Sequence, residues 1–183
     1  MKSTLLLAGV VALAACHDAS PTQPTPAGSE PAVFGDATAA LAKMDDRTPV
    51  PLEPMMAWHQ KQNMQDHLKA VQAITDALAG QDWDAVAAAG ARIGSSPQMQ
   101  QTCERMGAGA PGFTELALSF HQHADAIGVA AKTHDTAAVL RATADTLAVC
   151  TQCHSTYRQD VVDAQTFQDR TGLGPMTMEP GNP

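Results

Sequence analysis

The sequence Cys150-Thr151-Gln152-Cys153-His154, near the C-terminal end, constrains the fold of this chain more than any other feature. Two thiols three residues apart, followed at once by an imidazole, form the C-x-x-C-H attachment signal for c-type haem. Each thiol can form a thioether to one vinyl group of the macrocycle, and the imidazole then becomes the proximal iron ligand. The motif predicts one covalent haem c, provided that the chain reaches an oxidising, haem-loading compartment.

The N-terminus indicates export to such a compartment. Lys2 and an apolar run from Leu5 to Ala15 have the pattern of a secretory signal peptide, which we assign to residues 1–15. The run is too short to span a bilayer as a mature helix. Leu13-Ala14-Ala15-Cys16 resembles the lipobox of bacterial lipoproteins, which implies cleavage before Cys16 and lipid on its thiol. An ordinary signal peptide with an unrelated cysteine is the alternative.

Composition divides the rest of the chain. Residues 16–50 carry the lipidated cysteine and are rich in Pro, Thr, Ala and Ser, as expected of a flexible tether. Residues 51–162 form one small domain, whose Ala-rich sequence without strand-like alternation predicts helices. Residues 163–183 are predicted to be a disordered tail. The net charge of −8 argues against nucleic acid as a partner and is compatible with a basic redox protein.

Apolar spacing places four amphipathic helices in the domain, with a short helical piece through Cys103 to Met106 between the second and third. They span about residues 54–79, 82–93, 111–132 and 135–161. Such helices with short connections predict an all-α fold, an antiparallel four-helix bundle that encloses the cofactor near its C-terminal helix. The residues expected to face inward on the first, third and fourth helices include Met64, His67, Leu68, Phe113, Leu116, Phe120, Ala124, Ile127, Ala131, Leu147, Cys150, Cys153, His154 and Val161.

The segment from Cys150 to Arg158 resembles the C-x-x-C-H-x-x-Y-R ending of cytochromes c′ and of the related low-spin cytochromes c-556. The resemblance covers the bundle, about residues 51–160. It implies a monohaem cytochrome that transfers electrons with redox partners, performs no turnover chemistry and forms a homodimer through its first helices. Together with the lipobox, it predicts a membrane-anchored protein in the periplasm of a Gram-negative cell envelope. His17 after Cys16, where Asp would favour inner-membrane retention, favours the outer membrane.

The same resemblance implies roles for two further residues. Counting back from Gly80-Gln81 places Met64 at the position over the distal haem face, although Gln60 stands where the family often has Arg. Arg158 matches an arginine near the proximal face. His67 is an alternative distal ligand, which would give two histidine ligands. An open iron is the third possibility, and it would make the chain a binding protein for NO or CO.

Other readings of these residues stay open. Cys150 and Cys153 could form a redox dithiol, although the helical pattern lacks the βαβ context of that motif. A zinc site would need a fourth ligand, such as His121 or His123. A non-haem helical module could bind copper through the methionines and histidines of the first helix, Met55, Met56, His59, Met64 and His67. Cys103 is left without an assignment.

Overall fold

A computed structural model describes residues 37–174 of the chain. The predicted signal peptide, Cys16, the first part of the tether and residues 175–183 lie outside this range. The chain divides into two compact units. Helix α1 (Ala37–Met44) belongs to the first unit and falls within the predicted tether. All other described helices and strands belong to the second unit, which begins at Asp45.

Five helices account for most of the second unit, and local sequence signals determine where they begin. They are α2 (Pro54–Ala79), α3 (Trp83–Ala91), α4 (Pro97–Gly107), α5 (Phe113–Ala131) and α6 (Thr136–Thr156). The prediction for α2 is confirmed, since the helix starts with Pro in its first turn and ends before Gly80. The side chains of Asp82, Ser96 and Asp135 accept hydrogen bonds from the first backbone N–H groups of α3, α4 and α6. The helical content agrees with the expected all-α class.

A small parallel sheet, absent from the prediction, joins the two ends of the helical region. Strand β1 (Thr48–Leu52) precedes α2, and β2 (Tyr157–Val161) follows α6. The two strands pair in parallel, with Thr48 opposite Tyr157 and Leu52 opposite Val161. The last helix was expected to continue to Val161, and this is wrong because the chain leaves the helix at Tyr157 to pair with β1. The buried side chains of β1 place part of the predicted tether in the folded region.

The C-terminal tail also differs from the prediction. Residues Ala164–Thr171, expected to be disordered, form helix α7, whose N-cap Asp163 accepts a hydrogen bond from the Thr166 N–H. Phe167 is fully buried and the Arg105 guanidinium lies 5.6 Å from the centre of its ring. The buried ring of Phe167 and the Arg170–Asp160 ion pair therefore hold a segment that otherwise has the composition of a loop.

The buried side chains form two separate apolar clusters. Cluster 1 comprises Ala70, Ile74, Leu78, Val86, Ala89, Ile93, Phe120, Ala124, Ile127, Ala131, Val139 and Val149. Cluster 2 comprises Val50, Leu52, Met56, Ala57, Met106, Ala110, Phe113 and Phe167. Helix α2 packs on α3, α3 on α5, and α5 on α6, whereas α2 and α6 are not closely packed against each other in the described residues. The predicted inward face of α5 is confirmed, with only Leu116 partly exposed.

Candidate cofactor site

The C-x-x-C-H motif lies in the last turns of α6. The thiols of Cys150 and Cys153 are free and half-buried, but the His154 side chain is exposed. The expectation that all three residues face inward is wrong for His154. The fully buried side of α6 passes through Thr146 and Val149, and His154 projects from an adjoining side of the helix.

The two thiols border different parts of the core. Cys150 packs against cluster 1, together with partly buried residues of α2, α3 and α5. Cys153 packs against cluster 2, together with Tyr157 and Ala117. The motif therefore lies where the two clusters meet, and a group attached to both sulfurs would be next to both.

Both thiols of the motif are in surroundings that favour the neutral form. Burial raises the pKa of Cys150. Burial also raises the pKa of Cys153, and the neighbouring Cys150 raises it further. Reactive cysteines of redox enzymes have lowered pKa values, stabilised by a positive charge or a helix N-terminus. Cys150 and Cys153 instead lie near a helix C-terminus, and their pKa values are raised.

The middle of α2 and the end of α6 carry apolar side chains that the described residues cover only in part. None of residues 58–69 of α2 is buried, and Met64 and Leu68 are 39% and 70% exposed. Leu147, one turn before Cys150 on α6, is 42% exposed. The prediction that these three side chains are inside the core is wrong. We call Met64, Leu68 and Leu147 the exposed apolar flanks.

His67, the alternative distal ligand, is already engaged with α5. Its ring stacks on Phe120 at 4.5 Å between centroids and meets His121 edge to face at 5.4 Å. The Nδ1 atom of His121 is 2.8 Å from the Ile93 carbonyl oxygen, so this nitrogen is the donor of that hydrogen bond. Burial, followed by the neighbouring His121, lowers the pKa of His67 to about 4. The imidazole is therefore neutral and held by packing.

Arg158 lies on β2 rather than on the helix, opposite Pro49 of β1. The side chain is half-buried, and its Nε is a buried donor without a hydrogen-bond partner among the described residues. An unpaired buried donor of this kind is costly unless an acceptor arrives. The adjacent Tyr157 is satisfied, because its hydroxyl donates to the Pro111 carbonyl oxygen at 2.7 Å.

One residue that the sequence assigned to the tether, Arg47, contacts the motif. The guanidinium of Arg47 donates to the carbonyl oxygen of His154 at 3.0 Å and binds the Asp45 carboxylate through two further hydrogen bonds. No local pattern could reveal this contact, because Arg47 and His154 come from opposite ends of the unit and meet through the parallel strands.

The other candidate ligands do not gather around the motif. Within residues 37–174, no three His, Cys, Asp or Glu side chains form a group able to hold a metal ion. His121 is tied to Ile93, and His123 is exposed on α5, where its Nδ1 lies 2.8 Å from the Ser119 carbonyl oxygen. Cys103 is buried, and burial is the first of the causes that raise the pKa of its thiol to about 11. The structure gives no support to a zinc site completed by His121 or His123.

No protein-family model, curated protein or solved structure matches this chain. A search of the described helices for a membrane-spanning segment found none that is both long and apolar enough.

Proposed function

We propose that this protein is a membrane-anchored, monohaem c-type cytochrome that transfers electrons in the cell envelope. The observation that carries the proposal is the setting of the C-x-x-C-H motif on α6. Its two free thiols lie at the junction of two apolar clusters, and its imidazole is exposed beside them. When bound, haem c supplies an iron that alternates between two oxidation states one electron apart.

The donor set fits this group better than it fits the rival chemistries. Covalent attachment uses two free thiols that can reach the vinyl groups, and the iron takes an imidazole as a ligand. Cys150, Cys153 and His154 provide these groups. The raised pKa values of both cysteines argue against a reactive dithiol. Their half-buried sulfurs suit covalent attachment at the edge of an apolar interior.

We infer that the macrocycle lies between α2 and α6. With about 3.6 residues per turn, Met64 and Leu68 project from the side of α2 opposite to Ala73 and Ala77, which pack against cluster 1. On α6, Leu147 and His154 project from the side that adjoins the buried one through Thr146 and Val149. If α2, α3, α5 and α6 close into an antiparallel four-helix bundle, the two exposed apolar flanks face each other across the remaining gap.

We assign Arg158 to a carboxylate of the macrocycle. Its unpaired Nε is the kind of donor that a propionate would satisfy, since charge-assisted hydrogen bonds from Arg to carboxylates are among the strongest in proteins. The residue is also the second residue of β2, two residues after the end of α6, and thus close in sequence to the attachment site. Its role would be to bind and orient the cofactor.

Met64 remains the preferred distal ligand, and His67 becomes less suitable. To reach an iron between α2 and α6, His67 would have to leave its stack on Phe120 and its contact with His121. Met64 is on the flank that faces the gap and has no competing packing of that kind. If both axial positions are filled by His154 and Met64, the iron changes charge with little rearrangement of its surroundings.

A binding protein for NO or CO is the second candidate function. Met64 is 39% exposed and lies in a stretch of α2, residues 58–69, that contains no buried residue. A mobile or withdrawn Met64 would leave the distal position open to a diatomic ligand. Both candidate functions use the same site and differ in whether Met64 or a diatomic ligand occupies the distal position.

Absorption spectra of the full-length protein distinguish the two candidates. The chain would be expressed in a haem-loading host, purified in detergent, and measured oxidised and reduced, with and without CO. Low-spin spectra that CO leaves unchanged support electron transfer with both axial positions filled. A high-spin reduced spectrum that shifts with CO would contradict electron transfer and support gas binding. A colourless protein in the same host would contradict both and favour the non-haem metal-binding module.

We also propose that lipid on Cys16 anchors the chain to a membrane facing the periplasm, with the outer membrane favoured. The Pro-rich segment that follows would let the domain reach donors and acceptors at some distance. The net charge of −8 favours a redox partner with a basic surface.

A further inference from the structure

The Arg47 guanidinium makes three hydrogen bonds, each from a different nitrogen. Its Nε lies 2.8 Å from Asp45 Oδ1 and its Nη2 lies 2.6 Å from Asp45 Oδ2, which fixes the plane of the guanidinium. The remaining Nη1 donates to the carbonyl oxygen of His154 at 3.0 Å. Hydrogen bonding with Arg47 is the largest cause that lowers the pKa of Asp45, to about 2, so the pair stays ionised well below neutral pH.

The acceptor is the backbone of the predicted proximal ligand. The last four carbonyl groups of a helix have no partner within the helix. At the end of α6 the Tyr157 N–H satisfies Cys153, and Arg47 supplies the donor for His154. A cation at this position also interacts favourably with the negative end of the helix dipole. The contact holds the backbone from which the His154 side chain extends.

We propose that Arg47, held in place by Asp45, is a positioning residue for His154 that sets how the proximal imidazole is oriented toward the iron. This inference rests on the proposed function, since it needs haem on Cys150 and Cys153. Arg47 touches neither the iron nor a substrate and acts only through the His154 backbone. Lysine cannot reproduce the arrangement, because its single nitrogen cannot hold both Asp45 oxygens in a planar fork while reaching His154.

The test compares full-length wild type with Arg47→Gln, Arg47→Lys and Arg141→Gln. Arg141 is exposed on α6, the helix that carries His154, and has no hydrogen bond or ion pair among the described residues. Arg141→Gln is therefore a control with the same change of charge as Arg47→Gln. Haem staining of a denaturing gel first establishes covalent loading of each protein. Electron paramagnetic resonance of the oxidised proteins and titration of the reduction potential then report on the iron.

We expect all four proteins to carry haem and both Arg47 variants to show shifted g-values, while Arg141→Gln matches wild type. In Arg47→Gln the Asp45 carboxylate loses its counter-charge and stabilises the oxidised iron. The oxidised-to-reduced ratio at a fixed potential should therefore rise roughly tenfold, which is about 59 mV for one electron. In Arg47→Lys the charge is kept, so the potential should change less than the g-values.

Each contrary result is decisive. Loaded Arg47 variants with wild-type g-values would overturn the positioning role and leave the proposed function intact. An Arg47→Lys protein whose g-values match wild type would show that only the positive charge of Arg47 matters. That result would overturn the inference even if Arg47→Gln fails to fold. A wild-type protein without covalent haem would overturn the proposed function and this inference together.

Discussion

Cys150 and Cys153, one turn apart on α6, pack against different apolar clusters of the same unit. The polypeptide does not join the clusters along α2, where the residues between Ala57 and Ala70 are not buried. A macrocycle on both sulfurs would fill this discontinuity and cover the exposed apolar flanks. The two cysteines thus place the motif at the junction of the two clusters.

Replacement of Met64 tests the distal ligand. If Met64 binds the iron, Met64→Leu should convert a low-spin spectrum to a high-spin one and allow CO to bind the reduced protein. Met55→Leu, a control at another exposed methionine of α2, should leave the spectrum and its indifference to CO unchanged. A low-spin spectrum in Met64→Leu would show that Met64 is not the ligand.

Acidification should destabilise the fold through His67. The pKa of its imidazole is about 4 in the fold, below the ordinary 6.5 that applies to the unfolded chain. Between these values the unfolded state binds more protons, so the contribution of a neutral His67 is complete above about pH 6.5 and is lost as the pH falls toward 4. The melting temperature measured from pH 7 to pH 4 should decrease over this window.

The variant His67→Phe should weaken this pH dependence, because a phenyl ring can stack on Phe120 without titrating. Part of the dependence should remain, since burial also lowers the pKa of His121. His59→Phe, at an exposed position of α2, is the control and should retain the wild-type slope. A His67→Phe protein with the full wild-type slope would contradict the assignment.

Two helical glycines should respond oppositely to alanine because α3 and α5 pack closely. A Cβ at Gly90 would lie 3.2 Å from Ile127 Cγ2, whereas one at Gly128 would come no closer than 4.0 Å to the Ala87 carbonyl oxygen. We expect Gly90→Ala to lower the free energy of unfolding by about 1–3 kcal/mol. Gly128→Ala should raise it by up to about 1 kcal/mol through helix propensity. Urea unfolding of both variants checks this, and equal effects would argue against the close packing.

The packing of α7 can be tested at Phe167. Truncation of this fully buried ring in Phe167→Ala should cost about 3–5 kcal/mol of unfolding free energy. Gln168→Ala changes the neighbouring exposed residue and should stay within about 0.5 kcal/mol of wild type. A Phe167→Ala protein as stable as this control would mean that residues 164–171 do not pack on cluster 2.

Local signals were sufficient to predict most helices. Pro54 and Gly80 delimit α2, and apolar spacing from Phe113 to Ala131 identifies the buried face of α5. The C-x-x-C-H motif on the last long helix was likewise readable, because its spacing alone defines it. In these segments the structure depends on residues close in sequence.

The features that the sequence did not predict depend on contacts between segments that are far apart in the chain. Tyr157 could continue a helix, and pairing with Thr48 turns it into a strand instead. Phe167 is a lone apolar residue whose burial follows from cluster 2, and Arg47 gains significance only through its contact with His154. Apolar spacing also predicted Met64 and Leu147 as buried, and this is wrong, because the two side chains are 39% and 42% exposed.

Covalent attachment of haem is the central claim, and the intact mass of the full-length protein tests it most directly. The wild type and the double variant Cys150→Ala/Cys153→Ala would be purified under denaturing conditions from the same haem-loading host. We predict that the wild type carries the added mass of one haem and stains for haem on a denaturing gel, while the double variant does neither. A wild-type chain without that added mass, from a host that loads a known c-type cytochrome in parallel, would contradict the account.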